Sequence, residues 1–453
     1  MTQLHPAPAT PRLPLSTKLS YAVGNIGLQM LVAALSFFLL IFYTDVALIP
    51  PGIASSALLV GKIWDVVNDP MVGWMLDRTH SRHGRCRVYL IYGAAPLAIF
   101  AAALWIVPSG LSPLGAFIWI VVTYTVFDTL FTLVQLPYAA MSAELVHDYD
   151  ERTGLMAVSS VGALIGYILG SVLMPIIVHS GSTLQLGYTI AGGLFGLIAG
   201  VCVGFVAWKV REPERIELRH ESLPIITSIR NALTNRPFVM LISAFGLVRL
   251  GLTLLQTSLA YFVVYQLHQG REGLPKILMS LLLMVGIFIA FWHWVARRWD
   301  KNIAYALGLT ISAIAVGATF WLQPGQMNLM LMLIAVVGIG MSAHWVVPWA
   351  MLPDVIEHEQ AHTGERRAGM YYGIYGLADK IARTIGIVAV GWVLQFYGYI
   401  PNVAQSAHAL LGIRLVFGPI PAACLLLAIP LLLMYPVNRK SHALLREKLN
   451  RTS

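Results

Sequence analysis

The chain has 453 residues, of which 57% are hydrophobic and only 11% charged, with a formal net charge of +9. A soluble domain carries about 25% charged residues, so this composition cannot keep a solvated surface and excludes an ordinary soluble protein. The positive residues gather in short segments between apolar runs, the pattern of a membrane protein with basic loops and not that of a nucleic-acid binder.

The first eighteen residues are polar and rich in Pro and Thr, and do not read as a cleavable signal. Residues 1–18 are therefore expected to be a cytoplasmic N-terminal segment. Apolar runs broken by charge, Gly or Pro then predict helices over 19–43, 53–76, 88–107, 113–141, 154–178 and 186–209. A charged connection over 209–236 follows, with Lys209, Arg211, Glu212, Glu214 and Arg215 among its residues. Six more runs lie at 237–266, 274–296, 303–322, 328–352, 369–396 and 410–436, before a basic tail, 437–453. Each run is close to the roughly 20 residues that cross a bilayer. The expected fold class is an all-α membrane protein, with twelve transmembrane helices in two six-helix lobes, 19–208 and 237–436.

Lysine and arginine placement sets the expected orientation. Arg78, Arg82, Arg85 and Arg87 follow the second run, Arg297, Arg298 and Lys301 the eighth, and Arg366 and Arg367 the tenth, while the tail holds Arg439, Lys440 and Arg446. The opposite side holds only Arg271 and Lys276. With an even number of spans this bias predicts a multi-pass protein of the inner (cytoplasmic) membrane with both termini cytoplasmic.

The two halves echo each other. Pro137-Tyr-Ala-Ala-Met141-Ser-Ala-Glu144 leaves the fourth helix, and Pro348-Trp-Ala-Met351-Leu-Pro-Asp354 leaves the tenth, with the acid three residues past Met in both. Parallel repeats of this kind build two-lobed secondary transporters, whose substrate site lies between the lobes at mid-membrane.

Charges inside the spans stand out against this background. The second helix holds Lys62-Ile-Trp-Asp65-Val-Val-Asn68-Asp69-Pro70. Four-residue spacing puts Asp65 and Asp69 on one helix face, and carboxylates in a membrane persist where a cavity, a partner or an ion compensates them. Two carboxylates with the amide of Asn68 between them suit a hard cation. The alternative is a structural ion pair with Lys62, Lys380 or Arg383. On the fourth helix Asp128, Thr132 and Gln135 share a face at i, i+4 and i+7. Asp128 is either a third acid of the cavity or a partner for a basic residue such as Arg249. On the eleventh, Asp379 and Arg383 are spaced to pair at i, i+4, and Lys380 is expected to link cation and substrate sites. His344 reads as a satisfied interior histidine. Cys86, Cys202 and Cys424 lack metal-ligand spacing. The sequence holds no nucleophile elbow and no phosphate-binding glycine loop, and the chain is not read as an enzyme.

The loop Gly73-Trp-Met-Leu-Asp77-Arg78-Thr-His-Ser-Arg82-His-Gly84-Arg85 resembles the loop motif of the major facilitator superfamily. It predicts a gate in which Asp77, Arg78 and Arg85 latch the lobes in one access state. Trp64-Asp65-Val-Val-Asn68-Asp69-Pro70, with Lys18-Leu-Ser-Tyr21 and Tyr43-Thr44-Asp45, resembles the glycoside–pentoside–hexuronide:cation symporters, the branch that includes the melibiose carrier. Gly398-Tyr399-Ile-Pro401-Asn402 resembles the same family, so the likeness runs from Lys18 to Arg446. The resemblance implies the major facilitator fold and a cation site of Asp65, Asp69 and the hydroxyl of Thr132, beside Asn68. It implies a solute site less directly. The family's charged residues are replaced here by Leu28, Gln29, Gln135 and Ser160, while Trp345 and Lys380 match and Tyr375 lies near. Gln29, Gln135, Trp345, Tyr375 and Lys380 are accordingly the expected solute contacts. The implied function is cation-coupled symport of a sugar or glycoside by alternating access, with sodium or a proton as coupling ion, no other cofactor and no nucleic-acid partner. The lost charges leave a non-sugar or lysolipid-like solute as the alternative.

Overall fold

The computed structural model describes residues 13–146, 149–212, 234–270, 273–363 and 368–436. Most of the N-terminal segment, the linker from 213 to 233, the tail, Arg271, Arg366 and Arg367 lie outside the described residues. Helices α1 (Leu15–Ile41), α2 (Pro51–Arg78), α3 (Arg87–Ala103), α4 (Pro113–Leu145), α5 (Tyr149–Ser180) and α6 (Leu184–Lys209) form the first lobe. Helices α7 (Arg236–Tyr261), α8 (Gly273–Arg298), α9 (Lys301–Ala318), α10 (Met327–Thr363), α11 (Ala368–Phe396), α12 (Ala407–Phe417) and α13 (Pro419–Leu433) form the second. The twelfth span is α12 and α13 together, broken at Gly418.

Local chemistry starts these helices where the apolar runs begin. Pro51, Pro113 and Pro237 stand in the first helical turn, where a missing N–H costs nothing. Ser112, Thr183, Asn235 and Ser406 accept a backbone N–H from the first turns of α4, α6, α7 and α12. Helix α10 outlasts its apolar run by about three turns, through Asp354, Glu357 and Glu359. Helical hydrogen bonding needs no apolar side chain, so the helix continues past the run that hydropathy marks.

Among the described residues nine spans are long and apolar enough to cross a membrane. The others are the short α3, and α2 and α11, which carry Lys62, Asp65 and Asp69, and Asp379, Lys380 and Arg383, in mid-helix. In the first lobe α1 packs on α5 and α6, α2 on α4, and α3 on α4 and α6. In the second, α10 packs on α8 and α9, and α7 on α11 and α13. The lobes meet along α1–α7, α2–α11 and α5–α8.

The repeat is visible in the backbone. Helix α1 ends in a π-turn, Phe42–Val46, followed by Leu48 at φ 57. Helix α7 ends in a π-turn, Phe262–Gln266, followed by His268 at φ 50. The sequence echo is structural as well. Glu144 lies 3.9 Å from Arg85 of the α2–α3 loop, and Asp354 lies 2.6 Å from Lys301 at the α8–α9 turn.

Gly162, Gly166 and Gly170 let α5 lie directly on the α1 backbone. A Cβ at Gly166 would collide with the carbonyl oxygen of Ile26, whereas one at Gly193 of α6 meets nothing. Without a hydrophobic driving force inside lipid, such close backbone approach is what holds two spans together. Gly166→Leu is expected to lower the thermal midpoint of the detergent-purified protein well below that of Gly193→Leu. Equal midpoints would show that the α1–α5 seam tolerates separation.

At the α2–α3 loop, Glu212 accepts the backbone N–H of Cys86 at 3.1 Å and of Arg87 at 2.5 Å, tying the start of the linker to the N-terminus of α3. Burial, with the Glu212 carboxylate adding to it, pushes the Cys86 thiol up to about 12. At pH 8 an ordinary thiol near 8.5 is about one-quarter ionised, whereas one at 12 is ionised to roughly one part in ten thousand. Maleimide labelling of Cys86 at pH 8 is therefore expected to be slow and to quicken in Glu212→Ala. An unchanged rate in that variant, read by mass spectrometry, counts against the anchor.

Candidate functional site

Close contact between α2 and α11 creates the site. Gly391 has no side chain where α11 crosses Ser55 and the Pro51 carbonyl, and the N–H of Gly52 donates to Gln395 Oε1 at 2.6 Å. With the seam this tight, α11 delivers Lys380 to the acidic face of α2. Its ammonium donates to Asp65 Oδ1 at 2.7 Å and to Asp69 Oδ2. A single positive group thus sits between the two carboxylates that share a face.

The first lobe surrounds this contact with further polar groups. Lys62 Nζ lies 3.3 Å from Asp65 Oδ2 and 3.4 Å from Asp128 Oδ1, and 5.3 Å from the Tyr124 ring centroid. Thr132 donates to Asp69 Oδ1 at 3.3 Å. Trp64 Nε1 donates to Thr129 Oγ1 at 2.9 Å and fixes α2 against α4. Asp65, Asp128 and Thr132 are buried, whereas 36% of the Asp69 side chain is exposed, so Asp69 is the carboxylate of the cluster most open to the cavity. Three carboxylates face two ammoniums here, which leaves a charge of −1.

A second cluster lies on the other lobe. Asp379 takes Arg249 at 2.5 Å on Oδ1 and Arg383 at 2.8 Å on Oδ2. The i, i+4 pair is made, and Arg249 joins it. Asp128 is therefore both an acid of the cavity and a partner of Lys62, not of Arg249.

Both clusters line one cavity of about 390 Å³ between the lobes, with Gln29 and Gln135 on its wall. Four other residues lie elsewhere. Asn68 is fully buried outside the cavity wall, and its amide has no hydrogen-bond partner. Trp345 lines a separate apolar pocket of about 40 Å³ with Phe37, Tyr167 and Leu252. Tyr375 is buried in the second lobe, stacked on Phe245 at 4.0 Å and packed on Trp349. His344 is buried too and holds Tyr305 OH at 2.6 Å. Among the expected gate residues, Asp77 pairs with Arg85 at 3.3 Å and Arg78 covers Trp74, all within the first lobe.

On the face opposite the termini the lobes are locked. Asp45, at the end of α1, is buried and accepts Tyr265 OH at 2.5 Å and Tyr399 OH at 2.6 Å from the second lobe. Asn402 Nδ2 donates to the Asp45 carbonyl at 2.7 Å, and Thr44 and Tyr261 hydroxyls meet at 2.8 Å. The lobes are thus tied together on that face. Helix α4 has its main contacts with α2 and α3 among the described residues.

Sequence reasoning identified Asp65, Asp69, Thr132 and Lys380 for a cation-linked site, and the structure brings these four together. The ion pairing weighed as the alternative is also formed, by Lys62 and Lys380 and not by Arg383, which pairs with Asp379. Sequence reasoning missed Asp45, whose burial at a helix end depends on contacts from the other lobe.

The description "MFS/sugar transport protein" belongs to the family model that matches residues 20–439. An uncharacterized symporter of Synechocystis sp. is 29% identical, over 97% of this chain and 97% of its own length. The uncharacterized symporter YnaJ of Bacillus subtilis is 30% identical, over 96% of this chain and 94% of its own. A sodium-dependent lysophosphatidylcholine symporter of Gallus gallus is 27% identical, over 98% and 92%. Among solved structures, a D-xylose–proton symporter superposes with a TM-score of 0.70 at 15% identity, covering 94% of this chain and 99% of that one. The inward-open xylose transporter XylE of E. coli gives 0.65 at 15% identity, over 96% and 99%. These two likenesses establish the architecture of the transporter fold.

Proposed function

The chain belongs to the MFS/sugar transport protein family, and on that premise we propose that it carries a sugar or glycoside together with a cation by alternating access. The observation that carries this reading is the place of Lys380. Its ammonium lies between Asp65 and Asp69, beside the Thr132 hydroxyl, on the wall of the inter-lobe cavity. The space between these oxygens accepts a cation, and the lysine holds it as a tethered one. An incoming ion competes with that ammonium and frees it to turn into the cavity. Oxygen ligands of this kind suit sodium, and the same carboxylates serve a proton if sodium fails. We assign solute contact to Gln29, Gln135 and the released Lys380, all on the cavity wall. Asp77, Arg78 and Arg85 are assigned to closing the terminal face, and the basic loops support a cytoplasmic position for that face.

A lysolipid-like solute is the second reading. It is favoured by the name of the Gallus gallus relative and by the apolar pocket at Trp345, which suits the start of an acyl chain better than a sugar hydroxyl.

The deciding experiment is a thermal-shift screen of glycosides and lysophosphatidylcholine with and without sodium. A solute whose stabilisation grows with sodium identifies both partners, because linked binding is reciprocal. If sodium changes the midpoint with none of them, and neither a sodium nor a proton gradient drives uptake into vesicles, the symport reading fails.

A further inference from the structure

Arg414, in the last turn of α12, lies far from the inter-lobe cavity wall and has a different set of neighbours. Its Nε donates to the Phe320 carbonyl at 2.7 Å and Nη2 donates to the same oxygen, while the guanidinium lies 4.4 Å from the Phe320 ring centroid. Among the described residues no carboxylate is within ion-pair distance of it, and its Nη1 edge makes no hydrogen bond. A guanidinium stays protonated, so a full positive charge is held in a fixed orientation with one edge unused.

The depth of this group follows from α9. That span runs Lys301–Trp321, 21 residues, which at 1.5 Å per residue is about 31 Å, close to the roughly 30 Å of a hydrocarbon core. Lys301 therefore stands at one boundary, and Phe320 and Trp321 at the other. Gln266, in the α7 π-turn whose Tyr265 reaches Asp45, donates to the Leu322 carbonyl at 2.8 Å, so this boundary is the far face. A guanidinium held on the Phe320 carbonyl is thus at the depth of lipid phosphates. Trp321 beside it is 70% exposed, as interfacial tryptophans are. Ile314, about two turns deeper on α9, is 67% exposed and faces the acyl region.

We propose that Arg414 is the phosphate-binding residue of a site for one anionic phospholipid of the far leaflet, framed by Trp321 and with an acyl chain along Ile314. The free edge of the guanidinium matches phosphate oxygens. A phosphodiester with no headgroup ammonium, as in phosphatidylglycerol, supplies the negative charge that no side chain supplies here. Phosphatidylcholine brings its own cation and leaves the arginine uncompensated. Such basic positions between spans hold lipid headgroups by charge and hydrogen bonding together. The site is independent of the coupling ion and of the solute.

The test uses the full-length protein in a neutral detergent, titrated with phosphatidylglycerol, phosphatidylcholine or soluble glycerol 3-phosphate. Thermal midpoint and native mass spectrometry read binding. Phosphatidylglycerol is expected to bind roughly tenfold more tightly than phosphatidylcholine, and glycerol 3-phosphate to give no shift. Arg414→Gln is expected to erase the preference. Lys276→Gln removes an exposed positive charge at the far-face start of α8 and is expected to leave the preference whole. Phenylglyoxal labelling of Arg414 in the unsubstituted protein needs no variant to fold, and phosphatidylglycerol is expected to slow it while phosphatidylcholine does not. Equal affinity for the two lipids would mean that water alone meets the charge, and overturns the site. So does a preference that survives Arg414→Gln, an equal loss in Lys276→Gln, or labelling that phosphatidylglycerol leaves unchanged. Binding of glycerol 3-phosphate as tight as that of the lipid overturns the lipid as the source of the phosphate.

Discussion

Replacing Asp65 by Asn is expected to abolish stabilisation by sodium and to cut cation-driven uptake at least roughly a hundredfold. Asp65 is the buried member of the pair and, among the described residues, the only carboxylate paired with both ammoniums, Lys62 at 3.3 Å and Lys380 at 2.7 Å. Neutralising it changes the cluster of Asp65, Asp69, Asp128, Lys62 and Lys380 from −1 to 0, so the attraction that draws a cation past Lys380 is gone. Asp69→Asn is expected to be milder in binding, because its side chain is partly solvated and a solvated charge interacts more weakly.

Lys380→Met supplies the opposite sign. Removing the tethered ammonium takes that cluster from −1 to −2, and sodium is expected to bind more tightly while its effect on solute binding disappears. A general loss of folding cannot give opposite shifts in two variants of one contact. Sodium titrations followed by tryptophan fluorescence or thermal midpoint measure both. Wild-type sodium dependence in Asp65→Asn would disprove the coupling role.

The twelve spans were legible because hydropathy, spacing and basic loops are each written locally in the chain. So was the Asp65–Asp69 face, which needs only the helical period. Partnerships across the lobes were not. Arg249 and Asp379 are 130 positions apart and their contact depends on how α7 and α11 pack. Spacing also fixes a residue's helix face without saying what covers it. Asn68 lies one residue from Asp69, yet the α2 packing buries it outside the cavity. Tyr375 sits a turn and a half before Lys380, and Phe245 and Trp349 take its ring into the second-lobe core. Of the helices that fall short of a simple apolar span, α2 and α11 are the two that carry Asp65, Asp69 and Lys380. Their mid-helix charges are tolerated because they face one another across the α2–α11 seam instead of lipid.

That seam holds the lobes together at mid-membrane, and Asp45 holds them at the far face, so Asp45→Ala is expected to swing the resting protein toward a far-open form. In the structure the Asp45 carboxylate is buried and receives three hydroxyls, from Thr44 at 2.8 Å, Tyr265 at 2.5 Å and Tyr399 at 2.6 Å. Two of these cross between the lobes. A hydrogen bond to a charged group contributes about 1.5–3 kcal/mol, so losing both interlobe bonds costs the sealed form about 3 kcal/mol or more. That is roughly a hundredfold in the ratio of sealed to open forms. Asp45→Asn keeps one acceptor oxygen and is expected to fall between the two. Spin labels at Leu48 and Val403, both exposed on the far face and on opposite lobes, read the change as a longer distance in a background without Cys86, Cys202 and Cys424. In the proposed alternating-access cycle this latch breaks once per turnover, so an over-weak latch should also uncouple transport. Asp45→Ala is then expected to raise far-face accessibility of the cavity while lowering net uptake. An unchanged distance distribution would mean that packing along α1–α7, and not the carboxylate, seals that face.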